Sequence, residues 1–181
     1  MRDKGGIEIS VRYFELVLLV TLALISDIRA FKIKNIIIVS FVAAGFATNF
    51  IAAGFTGLAD SVLAAALPIP LLIGFYVPRM LGAGDIKLFC AIGAVAGVKF
   101  LLYALAYSFI AGGIIALVIM LVNKNFRQRG RYLAKYLRTC FLTMSLPPYT
   151  DFNNISDGAK FRFSYAVTCG VFAEIFLKLI S

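Results

Sequence analysis

Histidine is absent from this 181-residue chain, and cysteine is scarce. Without histidine, Ser-His and Cys-His nucleophilic catalysis and His-ligated metal sites are excluded. The three cysteines, Cys90, Cys140 and Cys169, are dispersed and form no CxxC pair. Neither a disulfide framework nor a zinc site is expected, and the sequence predicts no metal and no cofactor. Acid–base chemistry near neutral pH would therefore need carboxylates, lysines, tyrosines or cysteines with shifted pKa values.

Charge is also sparse, since only 15% of the residues are charged, 61% are hydrophobic and the mean hydropathy is +0.93. A soluble domain of this length cannot cover so much apolar surface, so the surroundings of most side chains are predicted to be a lipid bilayer. The net charge of +9 does not form a nucleic-acid face. Basic residues instead lie between apolar segments, as loop charges of membrane proteins do, so no nucleic-acid partner is expected.

The apolar segments predict an all-α polytopic membrane bundle of about six transmembrane helices. Three charge-free runs are each long enough to cross the hydrocarbon core as a helix, and two weaker candidates contain charges. A sixth candidate is short for a full crossing. In chain order the six segments are 11–26, 35–59, 61–78, the short 88–98, 100–123 and 163–180. All of them are assigned to one domain, 1–181.

Lysine and arginine predict the orientation of the bundle. Thirteen of the eighteen fall on the connections of one side, which the positive-inside rule assigns to the cytoplasm. Both termini are then outside a multi-pass protein of the cytoplasmic (inner) membrane. The loop 123–162 contains "RYLAKYLRTCFLTM" (131–144), in which apolar and basic residues take opposite helical faces. This pattern predicts a cytoplasmic amphipathic helix on the inner leaflet, either as a simple connector or as a substrate-docking element.

Two further patterns concern helix shape and packing. Pro68 and Pro70 are predicted to kink the third segment. Gly93 and Gly97 form a small-xxx-small pair, which predicts close approach of a neighbouring helix.

Two aspartates mark the edges of apolar segments. Asp27 ends the first apolar run, and Asp85 precedes the short fourth segment. Two predicted crossings separate them, and an even number returns the chain to the same side. Two carboxylates close together at a low-dielectric boundary share a proton and titrate as a pair. Aspartic peptide hydrolysis needs such a pair, because the ionised member deprotonates water while the protonated member polarises the scissile carbonyl.

The glycines before Asp85 fit this chemistry. Gly82 and Gly84 lack a Cβ, so the backbone can turn tightly and an extended substrate can approach it closely. The alternative is that each aspartate forms an interfacial ion pair, with Arg29 or Arg79, in a small transporter or an assembly scaffold. Transport is disfavoured because the sequence shows neither an inverted repeat nor a mid-membrane carboxylate.

Three segments resemble the type IV prepilin peptidases. "GAGDIKL" (82–88) matches the family signature Gly-x-Gly-Asp-x-Lys-Leu, which includes Lys87. "SDIRAFKIKN" (26–35) is similar to the first aspartate segment, with Arg29 and Asn35 at motif positions. "FRFSYAVTCGVF" (161–172) resembles the closing segment. The resemblance covers roughly 11–179.

The resemblance implies a membrane-embedded aspartic endopeptidase with Asp27 and Asp85 as its catalytic residues. Its substrate partner would be a prepilin, whose basic leader is removed at the cytoplasmic face, and the pilus assembly machinery is a further expected partner. Lys34 and Ser164 stand where the family often has proline, and these departures are interpreted as drift.

The long members of the family carry a cytoplasmic domain with paired cysteines and also methylate the new pilin terminus. This sequence has no CxxC, so we expect peptidase activity without methyltransferase activity, as in the short enzymes of tight-adherence pilus systems. An archaellum prepilin peptidase is a close alternative. A presenilin-like protease is a more distant one, because Ser26 replaces the expected tyrosine and no Pro-Ala-Leu occurs.

Overall fold

The computed structural model describes residues 3–30, 32–77, 81–122 and 163–180, and these ranges are helical apart from short connections. The five helices found there are α1 (Asp3–Ala30), α2 (Asn35–Ala66), α3 (Pro68–Tyr76), α4 (Ala83–Val122) and α5 (Phe163–Ile180). The all-α prediction is confirmed. The predicted amphipathic helix at 131–144 lies outside the described residues.

Among the described residues, three stretches are long and apolar enough to cross a membrane, namely Asn35–Tyr76, Ala83–Ile119 and Phe163–Ile180. The chain is accordingly a membrane protein. The predicted count of six spans is not confirmed by these three stretches, and α1 is not among them. However, two of the three are much longer than the roughly 20 residues that one crossing needs.

The first long stretch is broken at Gly54, whose φ of 65° and ψ of −144° are not helical. Eight residues of continuous helix would separate Asn49 from Gly57 by about 12 Å. Instead, a Cβ on Gly57 would collide with the carbonyl oxygen of Asn49, so the chain folds back on itself here. The sequence had placed this boundary at Asp60, because that charge ends the apolar run. The reversal uses a glycine inside the run, where a positive φ is sterically allowed.

A second break occurs at Gly97, with φ 81° and ψ 175°. The ring of Phe163 lies 6.5 Å from that of Phe89 and 5.6 Å from that of Phe109, measured between centroids. Twenty residues of straight helix would span about 30 Å, so the chain also reverses between Phe89 and Phe109. The part of α4 before the break is therefore short, in the region of the predicted short segment 88–98.

The prediction of close helix packing at the small-xxx-small pair is confirmed for Gly93 and wrong for Gly97. Gly93 packs so closely that a Cβ there would collide with the carbonyl of Ala64, as the pattern predicts. The same atom on Gly97 would meet nothing within 4 Å, because this glycine forms the break. The predicted proline kink stays a prediction: α2 ends at Ala66 and Pro68 begins α3, but Leu67 between them keeps helical dihedral angles, with φ −57° and ψ −39°.

Side chains of α2 satisfy the carbonyls just before the Gly97 break. Carbonyls next to a helix end lack regular helical partners and need other donors. The Asn49 amide donates to the carbonyl of Ala94 at 2.9 Å and to that of Val95 at 3.3 Å. Ser61 donates to the Ala94 carbonyl from the other side of the Gly54 reversal. These bonds bind the folded-back halves of α2 to α4.

The last helix runs antiparallel to the second part of α4. At the start of α5, Phe163 and Ala166 contact the position of Gly112, whereas near its end the Lys178 ammonium lies 5.3 Å from the centre of the Phe100 ring. Large apolar side chains are exposed on all five helices, as expected of a surface that faces lipid. This arrangement brings the starts of α4 and α5 to one end of the bundle.

Candidate active site

Four helix ends meet at this end of the bundle. They are the C-terminal turn of α1 and the first turns of α2, α4 and α5. Each contributes a side chain that forms a hydrogen bond with a residue at another helix end. These four residues are Asp27, Asn35, Lys87 and Ser164.

Asp85 is held in the first turn of α4 by reciprocal bonds with Gly82. The backbone N–H of Asp85 donates to the Gly82 carbonyl at 3.1 Å, and the Gly82 N–H donates to Oδ2 of Asp85 at 3.3 Å. A carboxylate that reaches back in this way satisfies an unpaired N–H and complements the positive end of the helix dipole. The side chain is half-buried.

The two motif glycines leave room around Asp85. A Cβ on Gly82 would lie 3.1 Å from Oδ2 of Asp85, so a larger residue would press on the carboxylate. A Cβ on Gly84 would meet the side chain of Ile33 at 3.8 Å, which is ordinary contact distance. Gly82 therefore matters for the carboxylate position, whereas an alanine at position 84 would fit beside the α1–α2 connection.

Asp27, in the last turn of α1, is half-buried and close enough to Asp85 for the two charges to interact. The hydroxyl of Ser164 donates to Oδ2 of Asp27 at 2.6 Å. The structure thus places the two aspartates that the sequence singled out at the same end of the bundle, although they lie 58 positions apart in the chain.

The connection between α1 and α2 is fastened by Ser26. Its hydroxyl donates to the carbonyl of Lys32 at 3.0 Å and accepts the backbone N–H of Lys34 at 3.2 Å. These bonds close the turn immediately beside Asp27. Arg29 lies exposed in the last turn of α1, where a cation complements the negative end of the helix dipole.

Lys87 bonds to Asn35, and both are residues of the predicted motifs. The ammonium of Lys87 donates to Oδ1 of Asn35 at 3.0 Å, which joins the first turns of α4 and α2. Both side chains are exposed. The bond therefore fixes the relative position of two helix ends from the solvent-facing side of the site.

Replacing Lys87 with Met should lower the free energy of unfolding by about 1 kcal/mol or less, since one exposed hydrogen bond to a charged group is lost. Combined with Asn35→Ala, the two effects should be non-additive, with a coupling of about 0.5 kcal/mol. Thermal or denaturant unfolding in detergent measures both. Lys99→Met, an exposed lysine of the same helix beyond the Gly97 break, is the matched control. If the two changes in the free energy of unfolding were strictly additive, the hydrogen bond between Lys87 and Asn35 would not contribute to stability.

Sequence reasoning missed two members of this site, Ser26 and Ser164. Ser26 was noted only as a departure from presenilin-like enzymes, and Ser164 only as a replacement for proline. The available signal was a hydroxyl near a helix end, next to an apolar run and near the predicted catalytic depth. Nothing in the sequence alone could pair Ser164 with Asp27, because they lie 137 positions apart in the chain.

Comparison with known proteins identifies the family of this chain. A sequence profile of the type IV leader peptidase family matches residues 14–117, which is more than half of the chain and includes Asp27, Asn35 and the Gly82–Lys87 motif. Searches of curated proteins and of solved structures found no significant match. Ser164 lies beyond the matched residues. On the strength of the matched region, this chain belongs to the type IV leader peptidase family.

Proposed function

We propose that the chain is an aspartic endopeptidase that removes the basic leader of prepilins, with Asp27 and Asp85 as its catalytic pair. Family membership makes the chain a leader peptidase, and hence a protease. The observation that supports the finer proposal is that the helix ends carrying Asp27 and Asp85 meet at one end of the bundle, where α5 bonds to Asp27 through Ser164 and packs on α4 through Phe163. A transporter or scaffold role loses support, because neither accounts for the family match.

The chemistry follows from the pairing of two carboxyl groups. Close carboxylates in a poorly solvated site hold one proton between them. The ionised member takes a proton from water as the water oxygen attacks the scissile carbonyl carbon. The protonated member donates its proton to the carbonyl oxygen, which gives a neutral tetrahedral intermediate. When the C–N bond breaks, the nitrogen takes up a proton, the new carboxyl group is released and the pair regains its starting state.

The placement of the pair suits a substrate that is itself anchored in the membrane. The reversals at Gly54 and Gly97 divide the two long stretches, so we propose six crossings in total, counting α1 and α5. Both termini are then outside and the aspartates lie at the cytoplasmic face of the inner membrane. A prepilin helix in the bilayer would present its basic leader at this depth. The pilus assembly machinery is the expected downstream partner.

The test is cleavage of a prepilin in membranes. The chain is co-expressed with a candidate prepilin from the same genome, and the product is followed by gel mobility and by sequencing of its new N-terminus. We expect one cut directly after the basic leader. If the folded protein cleaves none of the prepilins that its genome encodes, the proposed substrate is wrong.

The same assay tests the absence of methyl transfer. Purified protein, cleaved prepilin and labelled S-adenosylmethionine are incubated together, and the pilin N-terminus is analysed by mass spectrometry. An unmodified amine is expected, whereas a methylated terminus would contradict the proposal of peptidase activity alone.

A further inference from the structure

We infer that Ser164 is a positioning residue, which orients the carboxylate of Asp27 for catalysis through a direct hydrogen bond. The inference rests on the proposed function and extends it to α5, a helix that the family match does not reach. It also replaces the interpretation of Ser164 as drift at a position that often holds proline.

The bond between the two residues is short, and its donor is buried whereas its acceptor, Asp27, is half-buried. The Ser164 hydroxyl lies 2.6 Å from Oδ2 of Asp27, and the serine is only 2% exposed. Hydrogen bonds to charged groups gain strength where water is excluded, and a carboxylate with one oxygen engaged loses rotational freedom. Among the described residues, no hydrogen bond to the other oxygen, Oδ1, is found, so it can meet a water molecule or the proton of the proposed pair.

Hydroxyls in the described part of the chain are satisfied either within their own helix or by another helix. Thr21, Ser108 and Thr168 each donate to the carbonyl four residues earlier in their own helix, which is the usual arrangement among apolar neighbours. Ser61 donates to a backbone carbonyl of another helix, and Ser164 donates across the bundle from the first turn of α5. Ser164 differs from Ser61 in that its acceptor is the carboxylate of a candidate catalytic residue.

The packing of α5 holds the hydroxyl in place. Phe163, next to Ser164, has its ring against those of Phe89 and Phe109, on the two sides of the Gly97 break. A helix start held on two sides by aromatic contacts has little freedom to move. The orientation of Asp27 therefore depends on the docking of α5 against α4.

The test compares three serine variants in the prepilin cleavage assay. Ser164→Ala should lower kcat about ten- to a hundredfold with KM changed less than threefold, because a bond to a charged group is lost near the reacting atoms. Ser164→Cys, of similar size but with a weak donor, should fall between alanine and wild type. Ser108→Ala removes an equally buried hydroxyl that bonds only its own helix, and its kcat should stay within threefold of wild type.

Unfolding temperature and gel filtration in detergent show whether a serine variant loses rate because Asp27 is misplaced or because less protein is folded. The inference is overturned if Ser164→Ala keeps the wild-type kcat, or if its loss of rate only follows a loss of folded protein. It is also overturned if Ser108→Ala loses as much rate as Ser164→Ala. An inactive wild-type protein would refute the proposed function itself, whereas an active wild type with an equally active Ser164→Ala refutes the positioning role alone.

Discussion

Asparagine at either Asp27 or Asp85 should abolish prepilin cleavage, with a loss of about a thousandfold or more for each variant. An amide is nearly isosteric with a carboxylate, but it can neither take a proton from water nor deliver one to a carbonyl oxygen. Because the two groups act as one unit, the double variant should be no slower than the slower single variant. Product formation over hours, with N-terminal sequencing of any residual product, measures the effect.

The control for this experiment is Asp60→Asn. Asp60 is exposed on α2, beyond the Gly54 reversal, and should keep the wild-type rate. All variants should unfold at temperatures within a few degrees of wild type. A structural ion pair predicts the opposite order, in which stability falls first and the remaining folded protein still cleaves. Folded Asp27→Asn or Asp85→Asn protein with a tenth or more of the wild-type rate would rule out the catalytic pair.

The shared depth of these two aspartates was accessible from the sequence because it depends on counting crossings. Apolar run lengths and charge positions place Asp27 and Asp85 on the same side, and the motif glycines identify a tight turn before Asp85. That reasoning required only that the chain turn back once between them, and Gly54 supplies the turn. It could not predict whether the two aspartates are neighbours within the plane of the membrane, because that depends on how α1 and α4 pack.

The details that the sequence did not reveal share a physical cause. The Gly54 and Gly97 reversals lie inside apolar runs, and hydropathy does not distinguish a glycine that packs a helix from one that breaks it. Gly93 and Gly97 belong to one small-xxx-small pair, but Gly93 packs against α2 whereas Gly97 breaks the helix. Likewise, the bonds of Ser164 to Asp27 and of Lys87 to Asn35 join residues far apart in the chain, so no local pattern encodes them.

The same close packing leads to the second large expected effect, at Gly93. Replacing Gly93 with Ala should destabilise the protein by about 3 kcal/mol, at the upper end of the range for overpacking. The added Cβ would collide with the backbone carbonyl of Ala64, and backbone cannot rotate away as a side chain can. Separating α2 from α4 would also stretch the bonds from Asn49 and Ser61 to the Ala94 carbonyl.

A matched glycine of the same helix tests whether close packing is the cause. A Cβ on Gly113 would meet nothing within 4 Å, so Gly113→Ala should be neutral or stabilising by up to about 1 kcal/mol through helix propensity. Gly45→Ala should resemble Gly93→Ala, because its Cβ would lie 2.7 Å from the Ala94 backbone. Denaturant unfolding in detergent distinguishes the three. Since the active-site end of α4 is positioned by this contact with α2, cleavage by Gly93→Ala and Gly45→Ala should fall in proportion to the folded fraction. Wild-type stability of both variants would mean that α2 and α4 do not approach each other at these glycines.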